Sequence, residues 1–225
     1  MSFIHEPVDL GYNDLSANST GNGRMYTTPD GTKYPSITTV LSILSRDKIA
    51  EWRARVGEEE ANKISRKAST RGTAVHDLLE KYVDNVEDYA EGVMPHIMQS
   101  FYDVKSILDT RLNKVYAQEA PLYSSHLGLA GRVDCVGVWD GKDSIIDYKT
   151  SRKPKRKEWI ESYFMQCCAY SIMWEERTGI PITQLVVMIA VDNDEPQVFI
   201  EHRDNWTEKL WNVINEYRRE KLFGR

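Results

Sequence analysis

The chain has 225 residues, 41% of them hydrophobic, and a formal charge of −5. That length supports one sizeable core in preference to two small ones, and the net acidity excludes a protein that coats nucleic acid by bulk charge, so any such binding must be local. Three cysteines (Cys135, Cys167, Cys168) are too few and too badly spaced for a disulfide framework or a four-cysteine metal site, while no long apolar run or basic leader occurs, so a soluble cytoplasmic chain is expected.

Residues 1–35, rich in Gly, Asn, Ser, Thr and Pro, read as an extended or weakly ordered lead-in, with a small hairpin around Thr28-Pro29-Asp30-Gly31. From Ser36 the pattern turns helical. Ile37, Val40, Leu41 and Leu44 keep a 3–4 spacing, a charged helix follows over 47–63, and Val75, Leu78, Leu79 and Tyr82 mark another over 68–83. "PSITT" sets Ser36 and Thr38 at a helix start, where hydroxyls and free N–H groups either cap the helix or hold a phosphate. A further helix is predicted over 96–113. The period then switches to strands over 115–123, 129–139 and 144–150. A long helix over 159–178 ends at Gly179 and Pro181, strands follow over 184–192 and 197–201, and a helix over 205–222 closes the chain. This order describes an α/β domain on a mixed sheet: a helical part over 36–113 and an α/β core over 114–225, joined as one domain.

One hairpin poses a problem in electrostatics. Asp140-Gly141 between the β-rich runs of "GRVDCVGVWDGKDSIIDYKT" is a strong two-residue turn signal. If Trp139 then faces Lys142, five further steps along each strand set Asp134 opposite Asp147. Like charges at that spacing destabilise a sheet. Asp147 and Lys149 share a face, and in the same register Lys149 lies opposite Arg132. A three-residue loop would instead put the acids on opposite faces. Two close carboxylates must share a proton or hold a cation, and a hard divalent ion such as Mg²⁺ or Mn²⁺ suits oxygen ligands and a phosphate substrate. An adjacent lysine fits phosphodiester cleavage, by orienting water or neutralising charge on phosphorus. An ordinary exposed hairpin is the plainer alternative, but Ile145, Ile146 and Tyr148 suggest a strand buried on both faces, where an unpartnered acid is expensive.

"GLAGRVDCVGV", "SIIDYKTSRKP" and "QCCAY", together with "YPSITTVL" and "RGTAVHDLLE", resemble the RecB-like branch of the PD-(D/E)XK nuclease superfamily, in particular its mitochondrial genome-maintenance and phage exonucleases. The resemblance runs from about Tyr34 onward. It implies a restriction-endonuclease-like fold, with a central mixed sheet flanked by helices and an N-terminal helical region. It further implies that Asp134 and Asp147 hold the metal, that Lys149 is catalytic, that His76 adds a ligand, and that Gln166 and Tyr170 lie near substrate. Glu119 matches a family acid in approximate position. By pattern alone His76 is a helix-edge residue, Tyr170 is core with Gln166 at its border, and Glu119 could be a surface residue. An iron–sulfur cluster, carried by some relatives on four cysteines, is not expected here. Glu6, Asp9 and Asp14 are unlike a mitochondrial leader, which favours a phage or bacterial origin.

"SRKPKRK" supplies a local phosphate-binding strip, with Arg152, Lys153 and Lys155 as its nearest members to the lysine. Arg53, Arg55, Arg66, Lys67 and Arg71 could line the other side, and Trp52 either stacks on a base or packs in the core. The expected function is a metal-dependent DNA exonuclease preferring single strands with free ends. The rivals are a double-strand exonuclease or structure-specific endonuclease on the same site, and a non-catalytic DNA-binding module.

Overall fold

The computed structural model describes residues 2–21 and 23–224. The lead-in, read from the sequence as extended or weakly ordered with a small hairpin, contains four short strands. Ile4–His5 (β1) is a short strand, and Ser16–Thr20 (β2), Gly23–Thr27 (β3) and Lys33–Pro35 (β4) form a separate antiparallel sheet. The predicted turn joins β3 to β4, with Thr28 N–H donating to Thr32 O and Gly31 N–H to Thr28 O, each at 2.9 Å. These strands carry almost no apolar alternation. Their anchors are Leu15 and Tyr26, buried against Ala130.

The helical part comprises Ile37–Leu41 (α1), a 3₁₀ turn over Ser42–Leu44, Arg46–Val56 (α2), Glu58–Val83 (α3) and Pro95–Arg111 (α4). The division between α2 and α3 differs from the predicted one. It falls at Gly57, whose φ of 92° is open to glycine and costly for other residues. Glu58, Glu59 and Glu60 then favour the positive end of the next helix, and α3 continues without interruption for 26 residues.

Leu112–Ser124 (β5), Leu129–Trp139 (β6), Lys142–Ser151 (β7), Glu161–Thr178 (α5), Gln184–Val191 (β8), Gln197–His202 (β9) and Asp204–Phe223 (α6) follow close to the predicted bounds. The main sheet has the order β1-β5-β6-β7-β8-β9. Its β1–β5 and β7–β8 pairs are parallel and the others antiparallel, so the sheet is mixed. Helix α5 makes the crossover that a parallel β7–β8 pair requires.

Two apolar layers enclose the sheet. On one face Ile145, Leu185, Val187 and Ile189 meet Phe164, Cys167 and Trp174 of α5 and Leu210 of α6. On the other, Cys135, Ile146, Tyr148 and Met188 meet Val75 and Leu79 of α3 and Phe101 and Leu108 of α4. Strand β7 is therefore buried on both sides, as its sequence predicts. Across the layers Arg71 ties α3 to α4 and the end of β8, donating to Ser100 Oγ at 3.0 Å and pairing with Asp192.

The hairpin register is the predicted one. Trp139 pairs with Lys142, and both turn residues, Asp140 and Gly141, have positive φ of 51° and 77°. Nearby, Gly137 lets the backbone of β5 approach: a Cβ there would lie 2.3 Å from Lys114 O. Since that neighbour is backbone, Gly137→Ala is expected to lose about 1–3 kcal/mol of stability through overpacking, read as a lower urea midpoint with an unchanged m-value.

Candidate active site

The β6–β7 ladder ends at Cys135–Ile146, one pair short of the two acids. There the Tyr148 N–H is met by a side chain, Asp134 Oδ2, at 2.7 Å. The strands part where continued pairing would press Asp134 onto Asp147. The predicted Arg132–Lys149 opposition lies beyond that parting and does not form in the ladder.

Strands β5 and β6 also turn over at this level. Gln118 donates to Asp84 Oδ1 at 2.6 Å on the α3 side, whereas Ala120 packs in the layer beneath α5. Likewise Cys135 faces α3 and α4, whereas Val133 faces α5. Residues two apart ordinarily share a face, so both strands switch faces between these positions, at Glu119 and Asp134. Glu119 has a φ of 43°, uncommon for a residue with a side chain. The Arg132 guanidinium holds it there, donating to the Glu119 carbonyl and to Asp14 Oδ1.

Helix α3 supplies the third member of the group. Val75 and Leu79 pack down onto the sheet, and His76 between them lies with Nδ1 3.7 Å from Asp134 Oδ2 and its ring edge-on to Tyr148. His76, Glu119 and Asp134 each offer a ligand atom within 4.8 Å of the others. Burial first, then the charges of Asp134 and Glu80, push the Glu119 carboxyl from its ordinary 4.5 up to about 7. A cation would relieve that crowding.

Asp147 stands outside this group of three but beside it. Its side chain is fully buried and, among the described residues, neither oxygen has a hydrogen-bond partner of ordinary geometry, although Lys149 Nζ lies 2.5 Å from Oδ2 as an ion pair. Burial raises its pKa, Lys149 opposes the rise, and Asp134 adds to it. For Lys149 burial works against the charge, but Asp147 and Asp134 outweigh it and hold the ammonium above its ordinary value. The Lys149 ammonium also lies over the Tyr163 ring, 5.2 Å from its centre. These donors fit a hard divalent ion: three ligand atoms converge, and the neighbouring buried carboxylate has unused lone pairs.

Gln166 and Tyr170, one turn apart on α5, are joined by a 3.2 Å bond from the amide to the phenol oxygen, and both are buried. Gly131 makes room for them, since a Cβ there would stand 2.7 Å from the Tyr170 ring. Ser36 is a cap: its Oγ accepts from Thr39 N–H at 3.0 Å, while Thr38 is exposed. Arg152 and Lys153 are exposed and have no ion pair among the described residues, whereas Lys155 is fixed through its backbone to Gln197. Arg53 is engaged by Glu58 and Asn62, Arg71 by Asp192, and Trp52 is half-buried. Arg66 and Lys67 line a cavity of about 920 Å³ beside α4. That cavity lies on another side of α3, Lys67 and Ala74 being roughly 160–180° around the helix from His76.

Residues 49–223 match the family model of the PD-(D/E)XK nuclease superfamily. The human mitochondrial genome maintenance exonuclease 1 is 30% identical over 149 residues, covering 60% of this chain and 42% of that protein. Its mouse counterpart is 27% identical over 129 residues, covering 54% and 38% respectively. The chain thus matches less than half the length of these relatives. The crystal structure of an assigned exonuclease from Eubacterium rectale superposes with a TM-score of 0.47 at 11% identity, covering 68% of this chain and 66% of that one.

The raised Glu119 pKa has a signed consequence for the metal-free chain. Stability is highest below the unfolded pKa, near 4.5, and falls as pH rises through about 7 and the crowded carboxyl ionises. Glu119→Gln should therefore gain stability over wild type by about 1–2 kcal/mol between pH 4.5 and pH 8 in chelator, allowing for partial solvent screening. Urea unfolding at both pH values reads this, and saturating Mg²⁺ should reverse the order of the two proteins at pH 8.

Proposed function

The chain belongs to the PD-(D/E)XK nuclease superfamily, and from that premise we propose that it is a divalent-metal-dependent DNA exonuclease acting on single strands with free ends. Its setting in this reading is phage or bacterial DNA replication, recombination or repair, in the cytoplasm. One observation carries the proposal: three ligand atoms from His76, Glu119 and Asp134 converge beside the buried Asp147 and the Lys149 ammonium paired with it. An isolated acid cluster would not specify chemistry, but one with an ammonium held against it supports phosphoryl transfer.

In this reading Asp134, Glu119 and His76 hold Mg²⁺ or Mn²⁺, with Asp147 as the adjoining carboxylate, and the ion supplies an acidified water and charge neutralisation at the phosphate. Lys149 stays protonated and donates to the negative charge that grows on phosphorus oxygens. Asp147 keeps that ammonium in place and is itself made tolerable by it. Asp134 has a second task, since its Oδ2 accepts the Tyr148 N–H and so fixes β7 relative to β6. Gln166 and Tyr170 offer an amide and a hydroxyl one helical turn apart to the incoming strand. Arg152 and Lys153, beyond the end of the catalytic strand, bind backbone phosphates, so log affinity should fall against log salt concentration with a slope of roughly −0.7 per contact for a single strand. The exonuclease assignment follows the similarity to the human and mouse mitochondrial genome maintenance exonuclease 1, and the preference for single strands rests on the likeness of sequence motifs described above.

The test uses end-labelled linear single-stranded, linear double-stranded and circular single-stranded DNA, each with Mg²⁺, Mn²⁺ or chelator. Linear single strands should be shortened fastest, circles should persist, and chelator should stop the reaction. Lys149→Ala is expected to lower the rate about 10²–10³-fold, as does removal of a donor to a developing oxyanion elsewhere. Cutting without metal, or full activity in that variant, would sink the mechanism, and cutting of circles would sink the requirement for ends.

A further inference from the structure

Past Lys149 the chain leaves the sheet at Ser151, passes Arg152, Lys153, Pro154 and Lys155, and makes a 3₁₀ turn over Lys157–Trp159 before α5 begins. At the end of that turn stands Trp159, 63% exposed, whereas Trp139, Trp174 and Trp206 are buried in the core. A large aromatic side chain left in water forgoes the stabilisation that burial would bring, so its position is worth explaining. The Arg156 guanidinium lies over the ring, 5.3 Å from its centre, and the residue still remains largely in solvent.

The turn that presents it is firmly held. Lys155 N–H donates to Gln197 Oε1 at 2.7 Å, and Gln197 Nε2 donates back to Lys155 O at 3.0 Å. Lys157 pairs with Glu201, and Trp159 N–H donates to Arg156 O at 3.0 Å. One helical turn further on, the Tyr163 ring lies beneath the Lys149 ammonium. The turn that carries Trp159 thus leads directly into the end of α5 whose Tyr163 packs against Lys149.

An exposed aromatic ring set among cations is the combination that binds unpaired nucleic acid: the cations take phosphates, and the ring takes a base of any identity on its π-face. The geometry points to Trp159 as a stacking platform for one unpaired base of the DNA strand whose phosphates lie on Arg152, Lys153 and Arg156. This rests on the nuclease reading above and deepens it. A base inside a duplex has both faces covered by its neighbours, so the platform is usable only by a single strand or a frayed end. Trp159 thereby becomes a determinant of substrate form, separate from the residues that carry out hydrolysis.

The experiment measures binding without turnover, in chelator, by anisotropy of two labelled probes of equal length: an oligothymidylate and an oligonucleotide of abasic residues. Wild type should prefer the thymidylate. Trp159→Ala should weaken thymidylate binding about tenfold, equivalent to about 1.4 kcal/mol, leave abasic binding within about twofold, and so erase the preference, while Trp159→Phe retains most of it. The double variant Arg152→Ala/Lys153→Ala should weaken both probes alike. Circular dichroism and urea melts check that each variant is folded, which the exposure of the indole favours. Unchanged thymidylate binding in Trp159→Ala, or equal losses on both probes, overturns the platform. Failure of the nuclease reading shows differently, as a wild type that cleaves no DNA with Mg²⁺ yet keeps the base-dependent loss on Trp159→Ala.

Discussion

The molecule is organised around a buried carboxylate and a partly buried ammonium that share one face of a strand. Asp147 is fully buried in β7, its oxygens lack hydrogen bonds of ordinary geometry, and Lys149 is the one cation within ion-pair distance among the described residues. Removing one partner of such a pair typically costs 3–5 kcal/mol because the other is left uncompensated. The pair is thus a poor way to stabilise a sheet. It holds an ammonium against a carboxylate in a setting where each electrostatic contact counts for more than it would in bulk water.

The rest of the core reads as the scaffolding this pair demands. Strand β7 is flanked by Ile145 and Tyr148 on opposite faces, which exclude water, and the parting of β6 from β7 gives Asp134 a backbone N–H to accept in place of a second carboxylate to repel. Glu119 reaches the same place only because its backbone adopts a left-handed conformation that Arg132 holds from below. Helix α3 is pinned near its middle by Arg71, five residues before His76, so the imidazole approaches Asp134 from a fixed height. Positive charge is divided between two tasks: Arg53 and Arg71 serve the fold, while Arg152 and Lys153 remain open to solvent.

Much of this was legible because local chemistry and tertiary structure agreed. The Asp140-Gly141 turn fixes the hairpin, period-2 alternation marks β6 and β7, and Gly179 stops α5 in a left-handed cap. Where reading failed, the deciding information was not periodic. Gly57 divides the helices by its φ, within a charged run whose composition hides the boundary. Strands β2 to β4 are short and carry no clear apolar alternation, and they depend on Leu15 and Tyr26 meeting a residue more than a hundred positions away. Turn length and alternation bring Asp134 level with Asp147, but no local rule shows that the ladder stops one pair earlier or that a positive φ delivers Glu119 to His76 and Asp134. Trp159 went unread as anything but a helix start, since only its exposure distinguishes it from the buried tryptophans.

The hairpin tip has an evolutionary corollary. Six residues of extended chain, about 20 Å, separate Asp140 from Asp134, yet the length of that remote tip dictates what the acid meets. A lineage could therefore lose this centre through a single-codon indel while every chemically active letter survived unaltered. Divergence at the tip should accordingly be dominated by exchanges of residue type, with length held constant long after the surrounding surface has drifted.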